Sequence, residues 1–332
     1  MADIQKKLLD IRDLTVQFDT DSGIVHAVNH LNMQLEEGKA LGFVGETGAG
    51  KTTTALAVLQ LIQSPPGEIT SGEIWFKGQN VREMTEAELR NMRGREIAMI
   101  FQDPMTSLNP IMTVEEQIME MISLHSDLKG GEVRERALEM MRLVGIRPER
   151  GKDYPHQFSG GMRQRVGIAI ALACKPSLLI ADEPTTALDV TIQAQVLELI
   201  KDLQKQVRTS MLLITHDLGI VAETCDSVAI MYAGHLVEYA DIRHLYGNPL
   251  HPYTQGLFDA VPDLESPISE KLAVIQGLPP DPTNLPRGCS FSPRCPYARE
   301  ECLEKPCSMR EIEPGHFIDC YFPQAYKGGS RA

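Results

Sequence analysis

Hydrophobic and polar residues along the chain alternate first with the period of strands and later with that of helices. Residues 8–18 and 25–35 alternate between apolar and polar positions, which predicts two half-buried strands. Residues 40–44, 178–181 and 211–214 are short uninterrupted apolar runs. Runs of this kind are typical of parallel strands that are buried on both faces. The pattern therefore predicts a sheet whose central strands are covered on both sides.

Helical periodicity dominates two other parts of the chain. Residues 104–165 change to a helical pattern, and Thr113 followed by Glu116 predicts the start of a helix. Residues 190–206 lie between two apolar runs and predict an amphipathic crossover helix. Strands that alternate with helices indicate an α/β core, here with a helical insert. Beyond residue 246 the chain becomes rich in proline, which predicts an irregular extension.

Composition and charge narrow the class of protein. The chain has 332 residues, of which 42% are hydrophobic and 23% charged, as in an ordinary globular protein. Its net charge of −13 argues against a nucleic-acid-binding protein, which usually has a basic face. Its longest apolar stretch is far too short to span a membrane, and no signal peptide follows Met1. We therefore expect any association with a membrane to occur through a partner protein.

A phosphate-binding loop follows the apolar run at residues 40–44. The segment matches the pattern G-x-x-x-x-G-K-[ST] and continues into a helical pattern, which is the context that such a loop requires. Lys51 is expected to bind the β- and γ-phosphates, and the Thr52 hydroxyl is expected to bind Mg²⁺. The sequence thus predicts a nucleoside triphosphate site formed by Gly45, Glu46, Thr47, Gly48, Ala49, Gly50, Lys51, Thr52 and Thr53.

Two adjacent carboxylates end the apolar run at residues 178–181. Asp182 stands where an acid binds Mg²⁺ through water in phosphate-loop ATPases, and Glu183 follows it directly. A carboxylate at this strand end is placed to orient or deprotonate the attacking water. The pair therefore predicts hydrolysis and not binding alone.

Four further motifs stand at Gln102, residues 158–165, residues 186–189 and His216. In their order and spacing they resemble motifs of the ATP-binding cassette (ABC) ATPases. The resemblance covers residues 8–245 and implies a catalytic part for Gln102, which also approaches Mg²⁺, and for His216, which contacts the γ-phosphate. Asp189 matches the family's D-loop, and Phe18 is either the aromatic residue that stacks on adenine or a core residue at a strand end. The signature motif, which acts on the partner subunit's ATP, corresponds to Ser159, Gly160, Gly161 and Met162. Met162 replaces the usual glutamine of that motif.

This resemblance implies a fold and an assembly. The fold is an α/β ABC-type nucleotide-binding domain over residues 1–246, with a RecA-like phosphate-loop core at 1–103 and 166–246. A helical subdomain occupies 104–165, an antiparallel β subdomain completes the domain, and residues 247–332 form a Pro/Cys-rich extension. Two such subunits pair head to tail and enclose two ATP molecules, each with Mg²⁺.

Several segments resemble one branch of the family, the ATP-binding subunits of bacterial oligopeptide and dipeptide importers. They include residues 101–110, 158–165 and 251–254 and the cysteine-containing tail. The branch implies a homologous second ATPase subunit, two membrane permease subunits and, indirectly, a solute-binding protein, at the cytoplasmic face of the bacterial inner membrane. The alternatives are an importer for another solute, such as nickel or glutathione, and an ABC ATPase acting on nucleic acid or ribosomes.

Five of the seven cysteines lie in the tail, and their spacing leaves the metal open. A disulfide framework is disfavoured in a cytoplasmic ATPase, whereas four-thiolate zinc and a four-thiolate iron–sulfur cluster both suit these ligands. The resemblance favours a [4Fe–4S] cluster, with Zn²⁺ as the alternative. The ligands it implies are Cys289, Cys295, Cys302 and Cys320, which leaves Cys307 as a spare thiol.

Overall fold

The computed structural model describes residues 7–103, 107–186, 189–261 and 274–326, and these residues divide into two compact units. Of the described residues, the first unit contains those within Lys77–Ile214, together with residues 7–8 and Leu35–Ala40. The second contains Leu9–Gln34, Leu41–Phe76 and the chain from Thr215 onward. Among the described residues, no helix combines the length and the apolar character needed to cross a membrane.

The strands and helices follow one another in the mixed order that the hydrophobic pattern predicts. The strands are β1 (Lys7–Thr20), β2 (Gly23–Glu36), β3 (Ala40–Val44), β4 (Gly67–Phe76), β5 (Gln79–Asn80), β6 (Ile97–Ile100), β7 (Leu178–Asp182), β8 (Ser210–Thr215), β9 (Ser227–Tyr232), β10 (His235–Asp241), β11 (Arg310–Glu313) and β12 (His316–Ile318). The helices are α1 (Lys51–Val58), α2 (Glu86–Met92), α3 (Val114–His125), α4 (Gly131–Leu143), α5 (Gly160–Leu172), α6 (Val190–Val207), α7 (Leu218–Thr224), α8 (Ile242–Gly247), α9 (Pro252–Asp259) and α10 (Glu300–Glu304).

The first unit joins a parallel sheet to the helical insert. Strand β6 is parallel to β7, and β7 is parallel to β8. Every residue of β7 and β8 is buried, as expected for strands covered on both faces. Helix α3 begins at a capping box in which Thr113 and Glu116 exchange hydrogen bonds. The predicted strands, the crossover helix α6 and this helix start are confirmed.

The second unit contains the strand that leads into the phosphate loop. Strand β3 is buried throughout and parallel to β9, which is antiparallel to β10. Strands β1 and β4 pair antiparallel in a separate sheet, with Phe18 opposite Gly67. The phosphate loop therefore starts from a buried strand that cannot shift without disturbing the core around it.

The tail is more regular than its proline content predicts. Strand β12 pairs antiparallel with β10, and β11 pairs with β12, so the tail extends a sheet of the second unit. Pro252 begins α9 in the first turn, where a missing N–H costs nothing, and the His251 side chain caps that helix. The edge of β10 offers backbone groups that need partners, and the tail supplies them. The tail is therefore ordered by sheet pairing, within the part that the structure describes.

A buried carboxylate also holds the tail in place. Glu238 on β10 is fully buried and accepts hydrogen bonds from the backbone N–H groups of Leu250 and His251, at 2.8 and 3.0 Å. Its Oε1 also lies 2.7 Å from Nε2 of His316, which is fully buried on β12. Three chain segments thus meet at one side chain. A carboxylate in this position is stable only because its oxygens are hydrogen-bonded.

Candidate nucleotide site

The phosphate loop joins β3 to α1 and has a shape that only glycine permits at three positions. Gly48 and Gly50 have φ values of 81° and 103°, in the left-handed region. A Cβ on Gly45 would lie 2.1 Å from the Met231 carbonyl oxygen, and one on Gly50 would lie 2.2 Å from the Ala27 carbonyl oxygen. Both neighbours are backbone atoms, so neither can move aside. The loop is therefore packed closely against its surroundings in the conformation seen.

Lys51 begins α1 with its ammonium group inside the loop. The residue is 5% exposed, and its Nζ donates to the carbonyl oxygens of Gly45 at 2.7 Å and Glu46 at 3.0 Å. The Thr54 hydroxyl donates to the Gly50 carbonyl oxygen, which ties the first turn of α1 to the loop. The loop thus holds a buried positive charge on its own carbonyl oxygens, where a phosphate can replace them as its partner.

The remaining loop residues fit a nucleotide with Mg²⁺. Thr47 and Thr52 are exposed, Thr53 is half-buried, and Ala49 is buried beneath the loop. Gly50 provides no side chain to cap α1, so the positive end of the helix dipole is left for an anion. An ammonium group, a hydroxyl group and a helix start together form the donor set that a Mg²⁺-bound triphosphate requires.

The carboxylate pair lies at the end of β7 in the first unit. Asp182 is the last residue of the strand and is 3% exposed. Glu183 has a φ of 43°, and its N–H donates to the Ile214 carbonyl oxygen at 2.9 Å. A non-glycine residue in this region carries strain of about 1 kcal/mol or more, and such residues cluster at functional sites. The backbone therefore turns at Glu183, immediately after the strand ends.

The structure brings two of the predicted residues together at Glu183. The Gln102 Nε2 donates to the Glu183 Oε2 at 2.9 Å, although the two residues lie 81 positions apart. The Thr186 hydroxyl donates to the same oxygen at 2.9 Å. The contact of Thr186 is not predicted from the sequence, where its only signal is a hydroxyl three residues after the carboxylate. The carboxylate is thus oriented by two donors.

The signature residues form the exposed start of α5. The Ser159 hydroxyl accepts from the Met162 N–H at 3.4 Å and so caps the helix, while Ser159 itself is exposed. Gly160 is the first residue of the helix. A Cβ on Gly161 would lie 2.5 Å from the Ile192 Cγ2, so this glycine allows α5 to pack against α6. The motif therefore combines a capped helix start with a solvent-exposed hydroxyl.

The switch and D-loop residues lie at the ends of regular elements. His216 is exposed directly after β8, in the second unit. Asp189 is exposed and precedes α6 as its N-terminal cap position. Ala187 and Leu188 of the D-loop lie outside the described residues, as do residues 104–106 after Gln102. The roles of His216 and Asp189 stay predictions.

Phe18 is half-buried near the end of β1. Its ring lies against the backbone of Gly67, where a Cβ would come within 2.7 Å of the Phe18 Cε1 and 2.6 Å of the Ile62 Cγ2. The ring thus takes part in local packing and retains partial exposure. Both interpretations of Phe18, adenine stacking and a strand-end core residue, stay predictions.

The prediction of a metal centre in the tail is wrong. Among the described residues, no group of three or more His, Cys, Asp or Glu side chains is arranged to hold a metal ion. This finding overturns the [4Fe–4S] cluster and equally the zinc alternative. It also removes the ligand roles of Cys289, Cys295, Cys302 and Cys320.

The surroundings of these thiols agree with that correction. The four residues and Cys307 line one cavity, and all are free cysteines. Burial raises the pKa of Cys289 to about 11 and that of Cys320 to about 12. Metals bind the thiolate, and burial disfavours that charged form at Cys289 and Cys320. In the part that the structure describes, the tail is held by sheet pairing and by the hydrogen bonds of Glu238.

Two residues of the second unit contact the phosphate loop and were not predicted. The Glu46 N–H donates to the Tyr253 hydroxyl oxygen at 3.0 Å, and the Arg294 Nη1 lies 3.0 and 3.1 Å from the two Glu46 carboxylate oxygens. Tyr253 belongs to a segment that resembles the importer branch, but nothing in its sequence position indicates a contact with the loop. Arg294 is 248 residues from Glu46, so no local pattern relates them.

Comparison with known proteins relates both parts of the chain to transport proteins. Residues 28–186 match the family described as ABC transporter, and residues 237–302 match the oligopeptide/dipeptide transporter C-terminal region. The oligopeptide transport ATP-binding protein OppD of Bacillus subtilis is 50% identical over 314 residues, which cover 94% of this chain and 88% of that protein. The OppD protein of Escherichia coli is 48% identical over 319 residues, which cover 95% of this chain and 93% of that protein.

A solved structure has the same fold. It is described as the dimeric structure of a post-hydrolysis state of the ATP-binding cassette MJ0796 bound to ADP and Pi. The two chains share 26% identity with a TM-score of 0.64, and the match covers 71% of this chain and 99% of that one. The matched part is thus a complete cassette, and the part of this chain outside the match has no counterpart in that structure.

Proposed function

The chain belongs to the ABC transporter family, with the C-terminal region of oligopeptide/dipeptide transporters, and on that premise we propose that it is the ATP-hydrolysing subunit of a bacterial peptide importer. The family resemblance and the ABC nucleotide-binding fold are confirmed. An ABC ATPase acting on nucleic acid or ribosomes is not favoured, because the relatives are named as transport proteins.

One observation carries the proposal. The same chain contains a phosphate loop with a buried Lys51 and a C-terminal region matched to peptide transporters. The loop supports ATP binding, and the C-terminal region supports peptides as the solute class. A generic cassette would have only the first feature. This combination favours a peptide importer over an importer for nickel or glutathione.

The residues of the site support a hydrolytic mechanism. Lys51 binds the β- and γ-phosphate oxygens, and the backbone amides at the start of α1 bind the same anion. Thr52, Asp182 and Gln102 are the side chains that would hold Mg²⁺. When bound, Mg²⁺ neutralises charge that develops on the phosphate oxygens. Glu183 orients the attacking water and accepts its proton, while Gln102 and Thr186 hold the carboxylate in place.

The exposed motifs support action across a subunit interface. Ser159 and the start of α5 present a hydroxyl and helix N–H groups to solvent, and we assign them to the ATP of the second subunit. Asp189 belongs to the same interface, and His216 contacts the γ-phosphate. The subunits then pair head to tail, each supplying a phosphate loop to one site and a signature motif to the other. The second subunit is a homologous ATPase, so the pair is a heterodimer.

The proposed assembly contains further chains. Two membrane permease subunits bind this ATPase at the cytoplasmic face of the bacterial inner membrane, and a solute-binding protein delivers peptides to them. The names of the relatives, which are oligopeptide transport ATP-binding proteins, support this assignment. Within the chain, residues 1–246 form the ATPase domain, and residues 247–332 form the region specific to this branch.

Reconstitution tests the proposed function. The chain is purified with the membrane chains that accompany it in detergent, and the complex is placed in liposomes with ATP on the ATPase side. We expect ATP-dependent uptake of a labelled di- or oligopeptide, and we expect a complex carrying Lys51→Ala to show none. Nickel and glutathione serve as competing solutes. Uptake of either one in preference to peptides, or ATP hydrolysis that no peptide stimulates, would overturn the proposal.

A further inference from the structure

An ion pair joins the C-terminal region to the phosphate loop. The Arg294 Nη1 lies 3.1 and 3.0 Å from the two carboxylate oxygens of Glu46, the second residue of the loop. The Arg294 side chain is 6% exposed, and that of Glu46 is 28% exposed. Glu46 belongs to the part matched to ABC transporters, and Arg294 belongs to the part matched to the peptide-transporter C-terminal region. The contact therefore connects the general ATPase to the region that distinguishes this branch.

The backbone of Glu46 is held as firmly as its side chain. Its N–H donates to the Tyr253 hydroxyl oxygen at 3.0 Å, and its carbonyl oxygen accepts from the Lys51 Nζ at 3.0 Å. Tyr253 is fully buried. One loop residue thus contacts Arg294 and Tyr253 of the C-terminal region and also Lys51, the lysine assigned to phosphate. A movement of Glu46 would change the position of that lysine.

Arg294 is itself rigidly placed. Its Nε and Nη2 donate to the carbonyl oxygens of Gln276 and Ile275, at 3.1 and 3.3 Å. Its Nη1 also donates to the Tyr232 hydroxyl, and its guanidinium carbon lies 5.7 Å from the centre of that ring. All three nitrogen atoms of the guanidinium group are therefore engaged. Lysine could not satisfy these partners together, because it has a single nitrogen at the end of its chain.

The charge of Glu46 gives this arrangement a consequence for nucleotide binding. A carboxylate within the phosphate loop repels a triphosphate, and the repulsion is strong where water is partly excluded. Arg294 places a positive charge directly on that carboxylate. It also keeps the carboxylate oxygens on the side of the C-terminal region, while the backbone of the same residue holds Lys51.

We propose that Arg294 is a positioning residue for nucleotide binding, which neutralises Glu46 and fixes the phosphate loop through it. This inference rests on the proposed function, since it assumes that the loop binds ATP. It adds a task for the C-terminal region of this branch, which is to set the affinity of the phosphate loop for nucleotide.

The test measures the affinity of the full chain for MgADP and for a non-hydrolysed MgATP analogue by titration calorimetry. We expect Arg294→Met, which keeps an apolar stem beside Tyr232, to weaken binding about tenfold, within the usual range of coupling between sites. Arg294→Lys, which retains the charge, should recover part of the loss. The matched control is Arg310→Met, because among the described residues the Arg310 side chain donates to two carbonyl oxygens of the tail, those of Cys320 and Tyr321. This variant should bind nucleotide as the unchanged chain does.

A double variant separates positioning by charge from a merely structural role. Once Glu46→Gln has removed the carboxylate, Arg294→Met should cost little further affinity. If Arg294 only stabilised the tail, the second change would weaken binding as much as it does in the unchanged chain, and the proposal would be overturned. The comparison of Glu46→Gln with Glu46→Gln/Arg294→Met also decides the question if Arg294→Met alone does not fold.

The outcomes also distinguish this inference from the proposed function. If the unchanged chain binds no nucleotide, or if Lys51→Ala binds as tightly as the unchanged chain, the proposed function fails. If Lys51→Ala abolishes binding while Arg294→Met and Arg310→Met both bind normally, the loop is the nucleotide site and only the inference about Arg294 is wrong.

Discussion

Replacing Glu183 by glutamine tests the hydrolytic mechanism with little disturbance of the structure. In the native site the carboxylate oxygen Oε2 accepts hydrogen bonds from Gln102 and Thr186, each at 2.9 Å. A glutamine carbonyl oxygen can accept both bonds, so the side chain keeps its place. The substitution removes the negative charge and the capacity to take a proton. Loss of a positioned acid–base group usually costs about 10²–10⁴ in rate, or about 2.7–5.5 kcal/mol of barrier.

The assay compares hydrolysis with binding. Phosphate release is measured at saturating MgATP in the complex with the partner ATPase, and MgATP affinity is measured separately for each variant. We expect Glu183→Gln to bind MgATP, to hydrolyse it about 10²–10⁴ times more slowly, and to accumulate the closed dimer. The control is Thr186→Val, which has a similar shape and removes one of the two bonds to the carboxylate. A net hydrogen bond contributes about 1 kcal/mol, so Thr186→Val should lower the rate of ATP hydrolysis by about tenfold at most.

Two results would refute this reasoning. Turnover of Glu183→Gln within tenfold of the native rate would remove Glu183 from the chemical step. If Thr186→Val lowered the hydrolysis rate as much as Glu183→Gln does, the placement of the Glu183 side chain would matter and its charge would not.

Three further predictions concern the site and the fold. Lys51→Ala should weaken MgATP binding to the isolated chain because the phosphate-binding ammonium is lost, whereas Ser159→Arg should reduce hydrolysis only in the assembled dimer; equal losses of affinity would contradict the head-to-tail arrangement. Glu238→Ala should lower the free energy of unfolding by about 3–5 kcal/mol, because it leaves two backbone N–H groups and an imidazole without their buried acceptor. Urea denaturation measures this change, and a loss below about 1 kcal/mol would contradict that role. Burial lowers the pKa of His251 to about 4, so the unfolded chain binds a proton at this residue at a higher pH than the folded chain does. The free energy of unfolding should therefore fall by up to about 3 kcal/mol as the pH is lowered from 6.5 toward 4. His251→Asn, which keeps a capping acceptor, should flatten the dependence of unfolding free energy on pH in that range, and an unchanged slope would argue against this origin.

The local parts of the site could be predicted because contiguous residues produce them. The phosphate loop needs glycine where φ is positive at Gly48 and Gly50, and Lys51 follows at a fixed distance along the chain. The cap formed by Thr113 and Glu116 spans four consecutive residues and is predicted for the same reason. In each case the backbone conformation of a few neighbouring residues determines the geometry, so the pattern of residue types is sufficient.

The cysteines show where such reasoning is insufficient. Their spacing suits several metals, and the resemblance selected one of them. Coordination requires deprotonated thiols at fixed mutual angles and distances, and those depend on how the tail packs. The tail is ordered by pairing of β12 with β10 and by the hydrogen bonds of Glu238 to His251 and His316. None of these contacts has a signature in the spacing of the cysteines.

By itself, the sequence determined the class of chemistry, because the phosphate loop, the carboxylate pair at the end of β7 and the signature motif each consist of consecutive residues. It also determined the buried strands, since an apolar run must lie in the interior. Only the tertiary structure decided which distant side chains meet, namely Gln102 with Glu183 and Arg294 with Glu46. Those contacts depend on strand register and on the packing of helices around the sheets. Such packing is set by the whole core at once, so a short stretch of sequence cannot specify it.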